Sequence, residues 1–230
     1  MAESDEFDLD VDEDSTGGWW HALRETGIIV VSALVLSALV RAFLVQAFYV
    51  PSGSMENTLL PSDRIIASKI TTSLTGVHRG EIVVFSDPSD WLPDLEQTSN
   101  PVRSALTFVG LLPSDTGQDL VKRVIGIGGD RVACCDVDGR ILVNGHALTE
   151  PYIIGPTDQV QFDVTVPADS VFVMGDNRGD SRDSRFHLEE NSGAVPVRNV
   201  VGRVVAVVWP FSSLSTEPIP STFDGVDVAQ

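Results

Sequence analysis

Cysteine is scarce in this chain, and its placement excludes two of its common uses. The two cysteines, Cys134 and Cys135, are adjacent, so they cannot join distant segments, and they lack the ligand spacing of a zinc site. Two interpretations stay open for them. We favour two free thiols in or beside a strand; the alternative is a vicinal disulfide, which an oxidising compartment outside the cytoplasm would permit. Neither gives the pair a catalytic role.

Basic residues are also few. Lysine and arginine number 15 against 33 aspartates and glutamates, which gives a net charge of −18. Many of the acids lie close to the N-terminus, where a run of Asp, Glu and Ser predicts a disordered acidic tail over residues 1–18. The remaining chain is still acidic, and nucleic acid is therefore not an expected partner.

One apolar run dominates the N-terminal part, where residues 28–50 contain a single charge, Arg41. This run is long enough to cross a bilayer as a helix. A cleaved signal peptide is the alternative, but it would begin with a basic region and have a shorter apolar core, whereas the region before this run is acidic. We therefore predict an uncleaved transmembrane anchor over residues 19–41, after which the chain leads into the next domain.

Short β-rich runs separated by turn signals follow the anchor, and no long helical period appears after residue 60. This pattern predicts a mainly β domain of sheets folded on each other over residues 42–212, followed by a C-terminal tail over 213–230. The predicted strands are 64–68, 81–86, 120–127, 131–135, 140–143, 160–166, 170–174 and 200–209.

A segment of different composition, residues 87–119, interrupts the predicted strands. It is rich in proline, serine and acids, and we expect a variable loop there. Its short apolar piece, 105–112, either tucks into the core or forms a flap that touches membrane or substrate.

A serine and a lysine stand out chemically. Ser54 follows the apolar run within Pro51-Ser52-Gly53-Ser54-Met55, and Lys122 lies in the apolar stretch 120–125. A serine hydroxyl is a poor nucleophile until a base removes its proton. If 120–125 is a strand, Lys122 lies between apolar neighbours on one face, and burial there would lower the pKa of its amine and suit it to be that base. The pair predicts a hydrolase that works at the bilayer surface.

Four segments together resemble bacterial signal peptidase I, a family of Ser/Lys proteases. They are residues 51–55, 79–85, 121–130 and 174–185, and the resemblance runs from about residue 42 to residue 209. It implies a mainly β, signal-peptidase-like complex of coiled antiparallel β-sheets, preceded by one N-terminal transmembrane helix. It also implies that no cofactor and no metal take part.

The resemblance implies a role for each residue that matches the family pattern. Ser54 matches the nucleophile and Lys122 the general base. Ser52 matches the residue whose hydroxyl, with the Ser54 backbone N–H, forms the oxyanion hole. Ser181 matches a serine that hydrogen-bonds the lysine amine and orients it.

Supporting and substrate-contacting residues follow from the same match. Asp183 and Arg185 correspond to an ion pair that buttresses the site. Shallow pockets for small side chains would exclude bulk, and ordinary core packing is the alternative for each residue assigned to them. The assigned residues are Phe48, Val50, Pro51, Met55, Leu59, Leu120 and Val121. The substrate would bind extended, as a strand added beside residues 120–122.

The chain departs from the common family pattern in two places. Asn57 stands where the family usually has proline, and Gly179-Asp180 stands where it has Asp-Asn. Both departures lie outside the expected nucleophile, base and oxyanion donors. We expect them to alter the local turns and not the reaction.

The function implied is a membrane-bound serine endopeptidase that removes N-terminal signal peptides from exported preproteins after small residues. Membrane lipid and the protein-export machinery are the implied neighbours. The implied location is the bacterial cell membrane, with a cytoplasmic N-terminus and the catalytic domain on the outer face. Charge alone weakly favours the opposite orientation, but long domains translocate largely regardless of charge.

Two alternatives to this function stay open. One is a self-cleaving repressor-type Ser/Lys protease on the same fold, against which the anchor and the lack of a DNA-binding motif speak. The other is a non-catalytic membrane adaptor, against which the complete set of Ser54, Lys122 and Ser181 speaks.

Overall fold

The computed structural model describes residues 16–88, 91–92 and 119–227. The predicted acidic tail, as far as residue 15, lies outside the described residues. So does most of the expected variable loop 87–119, including its apolar piece 105–112.

A single long helix, α1 (Thr16–Phe43), leads into the first strand, β1 (Val45–Tyr49). Its segment Trp19–Val40 spans 22 residues with a mean hydropathy of 1.9, and none of it is buried against the rest of the chain. By length and composition this segment can cross a bilayer. The apolar run 28–50 is thus divided, because its last residues leave the helix and join a sheet.

The rest of the described chain is built mainly of short strands. After β1 come β2 (Arg64–Ser68), a short helix α2 (Lys69–Thr75), β3 (Ile82–Ser86), β4 (Asp119–Ile127), β5 (Arg131–Cys134), β6 (Leu142–Val143), β7 (His146–Ala147), β8 (Phe162–Thr165), β9 (Ser170–Met174), β10 (Val195–Pro196), β11 (Val200–Trp209) and β12 (Ser215–Thr216).

These strands form two antiparallel sheets. The larger has eight strands in the order β1-β2-β11-β3-β4-β9-β10, with β12 paired to β11. The smaller has four, in the order β7-β6-β5-β8. The predicted fold class, mainly β with antiparallel sheets behind one N-terminal apolar helix, is confirmed.

Alternate residues of β4 pack into different parts of the core, as a strand requires. Leu120 and Val124 pack with Val83, whereas Val121 packs into a separate cluster. Lys122 lies opposite Val83 in the strand register and is only 3% exposed. The prediction that Lys122 sits buried between apolar neighbours on a strand is confirmed.

Three of the predicted strands, 64–68, 170–174 and 200–209, have the observed bounds. The sequence analysis missed β1, which lies inside the long apolar run. It also missed β7, β10 and β12, each of two residues, and the seven-residue α2. Such short elements hold less than one or two periods of any hydrophobic pattern, so periodicity cannot reveal them.

The segment predicted as a C-terminal tail, 213–230, packs against the domain through its described part. β12 pairs with β11, and the side chains of Phe223 and Val226 are buried in the core. Arg79 binds the Val226 carbonyl oxygen through Nη1 at 3.1 Å. Two buried apolar side chains and a main-chain contact attach this segment to the sheets.

The expectation of two free thiols is wrong, because Cys134 and Cys135 form a vicinal disulfide. Cys134 ends β5 and is buried. Adjacent cysteines permit either state, and their spacing alone does not reveal which one forms.

Candidate active site

Ser54 lies on a single turn of 3-10 helix, Gly53–Met55, which follows β1. Its side chain is almost buried, at 8% exposed. Lys122 Nζ donates a hydrogen bond to Ser54 Oγ over 2.5 Å, although 68 residues separate the two along the chain. The fold therefore brings together the serine and the lysine that the sequence analysis singled out.

The environment of Lys122 favours its neutral form. Burial lowers the pKa of the amine from its ordinary value of 10.5 to about 8. The charges of Asp183 and Asp176 act in the opposite direction, and Arg185 reinforces the lowering. Near neutral pH a useful fraction of the amine is thus free to accept a proton.

Ser52 is exposed and lies beside the reactive pair. Its hydroxyl donates to Ser54 Oγ over 3.3 Å. A hydroxyl in this position can donate a hydrogen bond to the carbonyl oxygen of a bound substrate when negative charge develops on that oxygen.

Ser181 is buried, at 5% exposed, but its hydroxyl makes no hydrogen bond to any residue that the structure describes. The expected bond to the lysine amine is therefore not formed in this structure. Gly175 lies against it, and a methyl group at that position would overlap both Ser181 Oγ and the Ser54 carbonyl oxygen. Only glycine fits between these two groups.

The expected ion pair between Asp183 and Arg185 is present, with both side chains fully buried. Arg185 Nε donates to Asp183 Oδ1 over 2.8 Å, and Nη2 donates to Oδ2 over 3.0 Å. Asp183 Oδ2 also accepts from the Gly175 N–H at 3.0 Å. The pair thus holds the backbone that passes between Ser54 and Ser181.

Sequence reasoning assigned no role to the turn 176–178, which contacts the serine directly. The Asn177 N–H donates to the Ser54 carbonyl oxygen over 3.1 Å, and Asn177 Nδ2 donates to the Gly53 carbonyl oxygen over 3.1 Å. These bonds hold the peptide groups before and after Ser54. Asn177 lies within the segment 174–185 that resembles the family, but its distance in sequence from Ser54 concealed the contact.

Asp176 is the second residue of that turn with an overlooked role. It is fully buried and accepts hydrogen bonds from Arg123 Nε at 2.8 Å, Arg123 Nη2 at 2.6 Å and Thr58 Oγ1 at 2.6 Å. Arg123 follows Lys122 on β4, so Asp176 joins the strand of the lysine to the turn of the serine. A signal was available, because a buried strand carried an arginine that needed an acidic partner.

The residues assigned to substrate pockets divide into three groups. Leu120 packs into a different core cluster, and Pro51 is exposed. The others share one cluster of buried side chains next to the serine turn; they are Phe48, Val50, Met55, Leu59 and Val121. The structure thus brings five of the seven together.

No cluster of three or more His, Cys, Asp or Glu side chains that could hold a metal ion is found among residues 16–88, 91–92 and 119–227. The polar groups next to Ser54 and Lys122 are hydroxyls, an amine and ion-paired side chains. The arrangement can carry out nucleophilic chemistry with proton transfer.

Comparison with known proteins agrees with the family resemblance found in the sequence. The family described as "Signal peptidase, peptidase S26" matches residues 23–209. The probable signal peptidase I of Mycobacterium leprae (strain TN) is 37% identical over 224 residues, covering 82% of this chain and 77% of that protein. Thylakoidal processing peptidase 1 of Arabidopsis thaliana is 32% identical over 168 residues, covering 72% of this chain and 42% of that protein.

A crystal structure of a signal peptidase I from Enterococcus faecalis V583 is also similar. It is 25% identical, with a TM-score of 0.35, and the match covers 55% of this chain and 95% of that one. The resemblance inferred from the four sequence segments is confirmed by the family match and by the sequence relatives. This chain belongs to the signal peptidase family, peptidase S26.

Proposed function

We propose that this chain is a membrane-bound serine endopeptidase that removes N-terminal signal peptides from exported preproteins, with Ser54 as nucleophile and Lys122 as general base. Membership of the signal peptidase family supports the cleavage of signal peptides. One observation carries the choice of residues: the buried 2.5 Å contact between Lys122 Nζ and Ser54 Oγ, where the pKa of the amine falls to about 8.

In the acylation step, neutral Lys122 takes the proton of the Ser54 hydroxyl while Oγ attacks the scissile carbonyl carbon. The carbonyl oxygen becomes an oxyanion, to which the Ser52 hydroxyl and the Ser54 N–H donate. When this intermediate collapses, the peptide C–N bond breaks and the Lys122 ammonium returns its proton to the departing amine. The signal peptide is left as an ester on Ser54.

In the deacylation step, Lys122 accepts a proton from water, and the resulting hydroxide attacks the ester carbonyl. The ester bond breaks, and Lys122 gives its proton back to Ser54 Oγ. The ion pair of Asp183 and Arg185 supports this chemistry by holding the Gly175 N–H. Ser181 packs against Gly175, which lies against the Ser54 carbonyl.

The substrate would bind as an extended strand beside the beginning of β4. Small side chains would face the apolar cluster next to the serine turn, where bulk is excluded by close packing. That cluster contains Phe48, Val50, Met55, Leu59 and Val121. Because these side chains are closely packed, they leave little room for a substrate side chain. This supports a preference for small residues at the cleavage site. The proposal adds Pro51, which is exposed, and Leu120, which packs into the neighbouring cluster on the other face of β4.

The location proposed is a bacterial cell membrane. Residues 19–41 would form the anchor, with the N-terminal tail in the cytoplasm and the catalytic domain on the outer face, next to the protein-export machinery. One helix of the described chain has the length and apolar character for a single pass. The catalytic domain would begin near residue 42 and include the packed segment 213–226.

The test is incubation of the purified chain with a preprotein. Ser54→Ala and Lys122→Ala should each abolish cleavage and leave thermal unfolding cooperative, because the nucleophile and its base are both required. Lys69→Ala is the matched control, since it removes the other lysine of the chain and should cleave normally. Full activity of either site variant would disprove the assignment.

Cell fractionation separates the proposal from a self-cleaving repressor-type protease. The proposal expects the intact chain in the membrane fraction, because the helix Trp19–Val40 exposes apolar surface over its whole length. The intact chain in the cytosol would favour the repressor-type enzyme, and a membrane-bound chain that cleaves no preprotein would favour an adaptor.

A further inference from the structure

Asn57 lies three residues after the proposed nucleophile and has a φ of +84°. The ring of proline holds φ near about −65°, so the proline that is common here in the family does not fit this backbone. Asparagine is one of the few residues with a side chain that adopts the left-handed region readily. The left-handed backbone at this position thus suits asparagine and would exclude proline.

The side chain of Asn57 makes a long-range bond from this turn. Its Nδ2 donates to the Tyr152 carbonyl oxygen over 2.8 Å, across 95 residues of sequence. Tyr152 belongs to residues 150–157, which we call the bracing segment. The turn that carries Ser54 is thereby attached to a part of the chain that contributes no atom to the proposed chemistry.

The bracing segment is attached in turn to residues 176–178 through its backbone. The Ile154 N–H donates to the Asp176 carbonyl oxygen over 2.9 Å, and the Arg178 N–H donates to the Ile154 carbonyl oxygen over 2.7 Å. Asn177, between them, holds the carbonyl oxygens of Gly53 and Ser54. The serine turn, the 176–178 turn and the bracing segment thus form a closed ring of hydrogen-bonded pieces.

Side chains of the bracing segment add buried contacts to this ring. Glu150 accepts from Arg178 Nη1 and Nη2 over 2.9 Å and 2.6 Å, and both side chains are almost fully buried. The Tyr152 hydroxyl donates to Glu150 Oε1 over 2.7 Å, and its ring lies 4.1 Å from the Arg123 guanidinium carbon. The segment is therefore fixed to the strand next to Lys122 as well.

The second departure from the family pattern contacts the same segment. Gly155 has a φ of +78°, and a side chain there would place Cβ only 2.7 Å from the Gly179 backbone nitrogen. The backbones at 155 and 179 approach as closely as glycine allows. Asn57 and Gly179 thus both adjoin residues 150–157.

We propose that Asn57 is a positioning residue, which fixes the serine turn by binding the bracing segment so that Ser54 Oγ stays within reach of Lys122. This inference rests on the proposed function of Ser54 as nucleophile. Without the Asn57 amide, the ring opens on one side, and only the contacts of Asn177 and the Thr58–Asp176 bond attach the turn to residues 176–178. Small displacements of a nucleophile reduce the rate of the chemical step strongly.

The decisive variant is Asn57→Gly, which keeps the left-handed φ and removes only the amide. We expect kcat for preprotein cleavage to fall about 3- to 10-fold, the effect of one lost hydrogen bond, with KM changed less than about 2-fold. Asn57→Asp also tolerates the backbone conformation, but its carboxylate cannot donate to the Tyr152 carbonyl oxygen. Its kcat should fall at least as much as that of Asn57→Gly. Asn57 is exposed, so both variants should fold.

Asn144→Gly is the matched control. Asn144 also has a positive φ, of 52°, and its amide binds Asp130 and the Asp227 carbonyl oxygen, but it lies in the turn between β6 and β7 of the smaller sheet. It should lose thermal stability with kcat unchanged. An equal loss of kcat in both variants would mean that Asn57 acts through general stability, and would overturn the proposal.

A double-variant cycle supplies the readout that stability alone does not move. Gly155→Ala should displace the bracing segment, so Asn57→Gly added to it should cost no further kcat. Additive losses, or kcat of Asn57→Gly within about 1.5-fold of wild type, would overturn the role of Asn57. An active Ser54→Ala variant would overturn the proposed function itself, which is a separate result.

Discussion

Lys122 is the residue whose surroundings most determine the chemistry of this site. Its amine is held among apolar strand neighbours, and burial is the largest influence on its pKa, which falls from 10.5 to about 8. Nearby carboxylates moderate this fall. A lysine with this pKa is both abundant enough in its neutral form and basic enough to take a proton from serine.

Activity should therefore follow the titration of this amine. We expect kcat/KM to rise with pH up to about 8 and then level off, because only the neutral amine accepts the serine proton. Asp180 is exposed and its charge raises the pKa of Lys122, so Asp180→Asn should move the rise to lower pH by less than about half a unit. A pH–rate profile of both proteins is the measurement, and a move to higher pH would contradict it.

The same lowered pKa should cost stability. Between pH 8 and 10.5 the unfolded chain binds the proton that the folded chain releases, so stability rises with pH in this window and the cost is complete below it. The fall in pKa corresponds to about 3 kcal/mol at about 1.4 kcal/mol per pH unit.

Lys122→Met tests this cost. We expect the variant to be inactive but to unfold at a higher temperature than wild type at pH 7, with the difference shrinking toward pH 10. Thermal unfolding at the two pH values in the same detergent measures it. A variant less stable than wild type at pH 7 would mean that the lysine's contacts outweigh its desolvation.

At the scale of elements, the C-terminal segment is part of the fold. β12 lies beside β11, and Phe223 is 8% exposed in the cluster that contains Phe172 and Met174 of β9. β9 leads directly into the turn that holds Ser54. Residues near the end of the described chain thus support the site through one strand.

Phe223→Ala should lower the free energy of unfolding by about 3 kcal/mol or more, because it leaves a cavity in the core. Phe211→Ala is the matched control: Phe211 is 72% exposed and lies in the same part of the sequence, so its removal should cost less than about 1 kcal/mol. Denaturant unfolding compares the two, and equal losses would show that the segment does not pack as described.

At the scale of the whole molecule, the helix and the β-sheets have different tasks. No residue of Trp19–Val40 is buried against the sheets, so the helix adds little to the stability of the domain. In the proposed function its value lies in holding Ser54 near the membrane, since the serine turn follows the helix by about ten residues. A tether of this kind raises the local concentration of a membrane-bound substrate.

Removal of residues 1–41 should separate these tasks. We expect the shortened chain to cleave a soluble signal-sequence peptide within about 2-fold of the full chain, but a membrane-inserted preprotein at least about tenfold more slowly. Parallel assays in detergent and in proteoliposomes measure the two rates. Equal loss on both substrates would show that the helix supports the catalytic site itself.

The sequence by itself determined the long apolar helix and the mainly β class, and it singled out Ser54 and Lys122, which the fold brings into contact. Each depends on residue type and local period: an apolar run of membrane length, period-two strands, and a lysine placed where burial is costly. The ion pair of Asp183 and Arg185 was implied by the resemblance to the family, and the structure forms it.

Only the tertiary structure decided which distant groups meet. The Asn177 bonds to Gly53 and Ser54, the Asp176 bridge between Arg123 and Thr58, and the Asn57 bond to Tyr152 all join segments far apart in sequence. The state of Cys134 and Cys135 and the packing of Phe223 belong here too. Hydrogen bonds and packing act at a few ångströms, and the pairing of strands, not the spacing of residues, sets which groups come that close.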